Sequence, residues 1–93
     1  MNSIIQTEKE CFVCKTTQGL HSHHIFEAYN RNNSEKYGLK VWLCGKHHNL
    51  SSAGIHFDKA FDLYIKRLAQ KKFNEVYPEL DFMQIFGKNF LGE

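Results

Sequence analysis

Two residue pairs in this chain have the spacing of metal ligands, Cys11-x-x-Cys14 and Cys44-x-x-His47. Each pair places two soft or borderline donors on one tight turn, and two such turns brought together supply the four corners of a tetrahedral zinc site. Three cysteines suit three thiolates completed by one imidazole better than a disulfide framework. A redox-sensing thiol protein fits less well, because the cysteines are matched to a histidine at zinc spacing.

With those four residues assigned, His23, His24, His48 and His56 remain, together with Asn30, Asn32 and Asn33. A purely structural zinc finger has no need of them. A neutral imidazole near pH 7 can accept a proton from water or ligate a metal ion. Adjacent His23 and His24 on a strand point to opposite faces, so one can hold an ion while the other acts on a substrate. His21 reads as readily as a plain exposed or hydrogen-bonded histidine as it does as a functional one. All the cysteines and histidines fall between positions 11 and 56, so the first half of the chain carries the chemistry.

The scaffold that must position them is small. A chain of 93 residues is one domain, near the lower end of what a hydrophobic core holds together without a staple, and a structural zinc ion supplies one. A hydrophobic content of 42% and an aromatic content of 14%, together with a single proline, describe a folded globule rather than a disordered segment. The net charge of +2 permits a nucleic-acid partner without demanding one. No apolar run approaches the roughly 18 residues of a membrane span, and Met1 to Glu10 lacks the pattern of a signal peptide. The chain therefore reads as cytoplasmic, with no membrane partner.

Along the chain, Met1 to Lys9 reads as a loosely packed polar tail. Leu20 to Phe26 alternates as a short strand, with Leu20, Ser22 and His24 on one side and His21, His23 and Ile25 on the other. Glu27 to Tyr37 has no apolar period and reads as a loop, Leu39 to Leu43 as a second, antiparallel strand, and Asn49 to Gly54 as a connector. From about Phe57 to Tyr77 the apolar residues Phe57, Phe61, Tyr64, Ile65, Leu68, Phe73 and Val76 recur at helical spacing. Asp58 is the expected cap and Pro78 the stop. A short helix over roughly Leu80 to Phe86 packs Leu80, Met83 and Phe86 against the first, with Gly87 as terminator. Phe57, Phe61, Tyr64, Phe73, Phe82, Phe86, Phe90 and Trp42 are expected in the core. The expectation is an α+β fold of one domain: a tail over 1–9, a core over 11–77, and a C-terminal helix and tail over 78–93.

The ordered set Cys11-x-x-Cys14, His23-His24-Ile25 and Leu43-Cys44-x-x-His47-His48-Asn49 resembles the zinc-knuckle branch of the HNH endonucleases, whose fold is a ββα-metal finger. With His56-Phe57-x-Lys59-x-x-Phe61 leading into a helix, it looks most like the small phage recombination-enhancement nucleases that depend on a RecA-type recombinase. The resemblance runs from Cys11 to the middle of the long helix. It implies a DNA endonuclease or nickase in which His24 is the general base and His23 a ligand of a catalytic divalent ion. It also implies a further histidine ligand, for which His56, at the mouth of the helix, is preferred over His48. Asn33 is the first choice for the asparagine of the family motif, ahead of Asn30 and Asn32. The second knuckle departs from the family in ending on histidine instead of cysteine, and no asparagine stands at the usual approach to the second strand.

Phosphodiester hydrolysis needs a water in line, a base to deprotonate it, and a cation to stabilise charge on the phosphate and the leaving oxygen. A hard ion such as Mg²⁺ or Mn²⁺ on one or two imidazoles keeps positions open for both, which a Cys-rich site cannot do, so Zn²⁺ and a catalytic ion are both expected. Arg31 and Lys36 are the expected DNA contacts, and Lys66, Arg67, Lys71 and Lys72 read as the solvated face of the helix. A domain this small lacks a separate recognition module, so a recombinase filament or another phage protein is an expected partner in choosing the DNA. The competing expectation is a zinc-stabilised module that binds nucleic acid or protein without cutting.

Overall fold

In the computed structural model, which describes residues 3–49 and 54–91, the centre of the molecule is a two-stranded antiparallel sheet of β1 (Leu20–His24) and β2 (Lys40–Cys44). Leu20 pairs with Cys44 and His24 with Lys40. This register sets the end of β1 that carries His24 beside the start of β2, and it delivers Cys44 to the opposite end. Helices follow as α1 (Arg31–Tyr37), α2 (Gly45–His48), α3 (Lys59–Val76) and α4 (Phe82–Phe86). The α+β class, the antiparallel pair and the two C-terminal helices agree with the sequence reading.

Ile25, Phe26, Leu39, Leu43, Ile65, Ala69, Phe73, Phe82 and Phe86 form one core between the sheet and the C-terminal helices. Phe73 of α3 lies edge-on to Tyr37 and Phe82, while Phe26 meets Phe82, Phe86 and Phe90 at ring-centroid distances of 5.2, 4.9 and 5.2 Å. The C-terminal segment thus belongs to the same core as the sheet. Asp58 caps α3, its carboxylate accepting from the Phe61 amide at 3.1 Å, and α3 stops at Val76, ahead of Pro78. Gly87 ends α4 at φ +82°, a left-handed conformation that glycine adopts without steric cost.

The sequence reading of Glu27 to Tyr37 as a loop is corrected, because this stretch forms a 3₁₀ turn, Ala28–Asn30, followed by α1. It has no apolar period because its inward residues are polar and hydrogen-bonded. The fully buried Ser34 hydroxyl accepts from the Phe26 amide at 3.0 Å and donates to the Phe26 carbonyl at 2.7 Å. The Asn30 amide donates to the Phe86 carbonyl at 3.0 Å. Tertiary hydrogen bonds here replace the apolar stripe that usually anchors a helix.

The tail is also corrected. Met1 and Asn2 lie outside the described residues, but Ser3 to Lys9 is tied along the outer edge of β2, whose backbone groups would otherwise lack partners. The Ile4 amide donates to the Gly38 carbonyl, the Trp42 amide donates to the Gln6 side chain at 2.8 Å, and Lys9 sits over the Trp42 ring. On α3 the buried face is Ile65, Ala69, Gln70 and Phe73; Phe57 and Tyr64 are 64% and 61% exposed, and Val76 is exposed too. Phe57 precedes the helix, and Tyr64 stands one residue, about 100° around the axis, from Ile65. Likewise Leu80 and Met83 face outward, whereas Phe82 and Phe86 fill the core. Among the described residues no helix is long and apolar enough to cross a membrane.

Candidate metal centres and base site

The knuckle is built by two turns. The first, Cys11 to Lys15, closes with the Lys15 amide donating to the Cys11 carbonyl, and its last residue takes φ +67° to complete the reversal. The second is α2, a single helical turn that starts directly on β2 and carries His47 back over Cys44. The ligand atoms of Cys11, Cys14, Cys44 and His47 all lie within 4.8 Å of one another. Cys14 Sγ is 3.7 Å from Cys44 Sγ, and His47 Nδ1 is 3.6 Å from Cys11 Sγ and 3.3 Å from Cys44 Sγ. A tetrahedral zinc ion with Zn–S of about 2.3 Å and Zn–N of about 2.0–2.1 Å has edges of about 3.8 Å between sulfurs and about 3.6 Å from sulfur to nitrogen. The four side chains therefore already match the frame of a zinc site, and this cluster can hold such an ion. Burial resists ionisation of Cys11, but the backbone amides of Cys14, Cys44 and Val13 and the Cys44 thiol outweigh it and bring its pKa down to about 6. Burial, then the two neighbouring cysteines, push the Cys44 thiol up.

Back to back with this cluster lies a second one. Successive residues of a helix are about 100° apart, so α2 turns His47 toward the sulfurs and His48 toward the face of β1 that carries His21 and His23. His56 arrives from the segment after α2. The Ile55 amide donates to the His47 carbonyl and the His56 amide to the His48 carbonyl. This approach needs Gly54, because a Cβ there would lie 2.6 Å from the His48 carbonyl oxygen. The ligand atoms of His23, His48 and His56 come within 4.8 Å of one another. His48 Nε2 is 3.0 Å from His56 Nε2, and His48 Nδ1 is 2.8 Å from His21 Nδ1. Both His48 and His56, the two competing choices, are thus brought to His23. His21 is not among the expected site residues, yet it bears on the site: when His48 Nδ1–H donates to His21 Nδ1, His48 Nε2 is left as a free lone pair.

His23 is 3% exposed, and its Nε2 is buried with no hydrogen-bond partner. Burial first, and then the charges of His48, His56, His24 and Lys66, lower its pKa to about 3, so it is a neutral imidazole at pH 7. Burial, then His56 and His21, lower that of His48 as well.

His24 points to the other side of β1 at its end, where its Nε2 lies 2.9 Å from Glu35 Oε1. Lys40, the cross-strand partner of His24, donates to Glu35 Oε2 at 2.7 Å. These two bonds, that of Lys40 first, hold Glu35 ionised and bring its pKa down to about 2. With Nε2–H donated to a carboxylate, Nδ1 is the nitrogen of His24 left to accept a proton. Glu35 was not legible in the sequence because it lies on the segment read as a loop. An acidic residue eleven positions from a histidine carries no local signal.

A cleft of about 310 Å³ is lined by His23, His24, Glu27, Arg31, His48 and His56 among others. It gathers the expected base, the expected ion ligands and one expected DNA contact. A larger cleft, about 370 Å³, lies between the N-terminal segment and β2 and has no histidine or cysteine in its lining, so volume alone does not mark the chemistry. Asn33 is not brought to His24; its amide donates to Asn30 Oδ1 at 3.2 Å and to the Ile85 carbonyl at 3.3 Å, which ties α1 to α4. Lys36 is exposed on α1 with its ammonium 5.3 Å from the Tyr37 ring, outside the cleft lining. No protein-family model, no curated protein and no solved structure matches the chain.

Proposed function

We propose that this protein is a metal-dependent DNA endonuclease or nickase of the HNH type, stabilised by zinc in the Cys11, Cys14, Cys44 and His47 knuckle. The observation that carries the reading is one cleft holding a carboxylate-fixed His24 beside the imidazoles of His23, His48 and His56. A pure binding module has no use for a tautomer-fixed imidazole next to a nitrogen cluster suited to a divalent ion. Such an ion, Mg²⁺ or Mn²⁺, would supply Lewis-acid stabilisation of the phosphate. His24 Nδ1 accepts the proton of the attacking water, and Glu35 stabilises the imidazolium that forms while holding the ring in place. Arg31, on the rim of the cleft, meets a phosphate of the strand being cut. Phage DNA recombination or processing, with a recombinase filament choosing the substrate, is the setting the sequence resemblance favours.

The test is cleavage of supercoiled plasmid and single-stranded DNA with Mg²⁺ or Mn²⁺, with and without recombinase. Native protein is compared with His24→Ala and Glu35→Ala variants whose zinc content shows them folded. The expected result is ion-dependent nicking that is abolished in His24→Ala. Glu35→Ala is expected to lower turnover about 100-fold, with little change in apparent substrate affinity. No cutting by the native, zinc-loaded protein under any of these conditions would refute the reading and leave the binding module.

A further inference from the structure

The imidazole cluster is not the whole of what surrounds the buried nitrogen of His23. Glu27, four residues on from His23, places Oε1 at 3.8 Å from His23 Nε2. That is too long for a hydrogen bond, yet within the span of two ligand atoms sharing one ion. Asp62, from the first turn of α3, brings a carboxylate oxygen to the same place: the ligand atoms of His23, Glu27 and Asp62 all lie within 4.8 Å of one another. His23 belongs to both triads, and its Nε2 is the buried polar side-chain atom without a hydrogen-bond partner among the described residues. A neutral nitrogen so enclosed is unfavourable unless something takes its lone pair. A cation seated between the two triads does so.

The donor types decide which cation. Three neutral imidazoles bring no charge and suit zinc, nickel or copper at least as well as a harder ion. Two carboxylates neutralise a divalent charge and supply the hard oxygen donors that Mn²⁺ and Mg²⁺ prefer, in a shell of up to six. Asp62 is also held by Lys66, one turn along α3, at 2.9 Å.

We propose that Glu27 and Asp62 are carboxylate ligands of the same divalent ion that His23 holds, forming a mixed imidazole and carboxylate centre selective for Mn²⁺-class ions, with Asp62 exchanging Lys66 for the metal. The centre draws on four parts of the chain: β1 and the residues just after it, α2, the segment leading into α3, and α3 itself. This deepens the nuclease reading, since it concerns the ion that reading requires, but it is tested on metal binding without DNA.

The experiment is a titration of the full zinc-loaded chain with Mn²⁺, followed by the electron paramagnetic resonance signal of the free ion. Native protein is compared with Glu27→Gln, Asp62→Asn, His23→Ala and a distant control, Glu79→Gln, with bound zinc and circular dichroism checked for each. One Mn²⁺ per chain is expected, with at least tenfold weaker binding in Glu27→Gln and in Asp62→Asn, none in His23→Ala, and native affinity in the control. Because Asp62 is also paired with Lys66, a misfolded Asp62→Asn is replaced by the side-chain carboxylate carbon shift of Asp62 in native protein titrated with diamagnetic Mg²⁺, which moves for a carboxylate that exchanges Lys66 for the ion and stays in place for one that does not. Native affinity in Glu27→Gln together with an unmoved Asp62 carboxylate shift overturns the proposal and leaves the imidazole centre of the nuclease reading intact. Carboxylate-dependent Mn²⁺ binding by a protein that cuts no DNA upholds the proposal and removes the nuclease reading instead.

Discussion

Replacing Cys14 by serine separates a zinc ligand from an ordinary surface cysteine by a wide margin, because Cys14 is exposed. Serine at an exposed position that makes no special contact changes stability by no more than about 0.5 kcal/mol, or at most a few degrees of melting temperature. If Cys14 closes the tetrahedron, the loss is of another order. A structural zinc ion contributes about 10–16 kcal/mol of apparent binding free energy at pH 7, which in a domain this small is folding free energy. The total stability of a chain of this size is about 5–14 kcal/mol, so losing even a quarter of the zinc contribution removes about 3 kcal/mol. At about 4–8 °C per kcal/mol, Cys14→Ser lowers the melting temperature by at least about 12 °C. Circular-dichroism melts of the two proteins, with zinc quantified by release to a chromogenic chelator, measure it. A Cys14→Ser protein that melts with the native one and retains one zinc would refute the four-ligand knuckle, despite the match of its separations to tetrahedral edges.

Gly54→Ala sets a methyl group 2.6 Å from the His48 carbonyl oxygen, so the chain must retreat and take His56 with it. The expected outcome is a folded, zinc-loaded protein with at least tenfold weaker Mn²⁺ binding, read by the same titration. The pH dependence of stability carries the mark of His23: the unfolded chain takes up this proton near pH 6.5 and the folded chain only near 3. Its contribution to stability is therefore complete above about pH 6.5 and declines as the pH falls toward 3, by at most about 5 kcal/mol. Urea midpoints between pH 7 and pH 3.5 are expected to fall less steeply in His23→Gln than in native protein; parallel curves would show that His23 is not held neutral by its surroundings.

What could be read from the sequence was whatever repeats at short range. The Cys-x-x-Cys and Cys-x-x-His pairs, the alternation that put His23 and His24 on opposite faces, the cap at Asp58 and the stop at Pro78 all lie within a few residues of their partners. What could not be read rests on partners far along the chain. Ser34 looks like a loop residue until the Phe26 backbone is seen around it, and Glu35 acquires meaning only from Lys40 and His24. Nothing in the local sequence says that Gly54 is glycine because His48 is there, or that His21 steadies His48. Aromatic periodicity misled in the opposite direction, since Phe57 and Tyr64 match the helical period by spacing but not by facing.

In α2, His47 and His48 are consecutive, so the two ligand clusters are joined along the backbone by a single peptide unit, about 3.8 Å of rigid covalent structure. A shift of the first imidazole cannot be absorbed before it reaches the second. If zinc leaves the knuckle, the one turn of helix that aims His48, together with the carbonyls that receive Ile55 and His56, loses its anchor. For the nuclease proposed, zinc occupancy would then work as an interlock: a chain short of zinc would fall silent as a whole instead of lingering as a half-assembled, indiscriminate cutter of DNA.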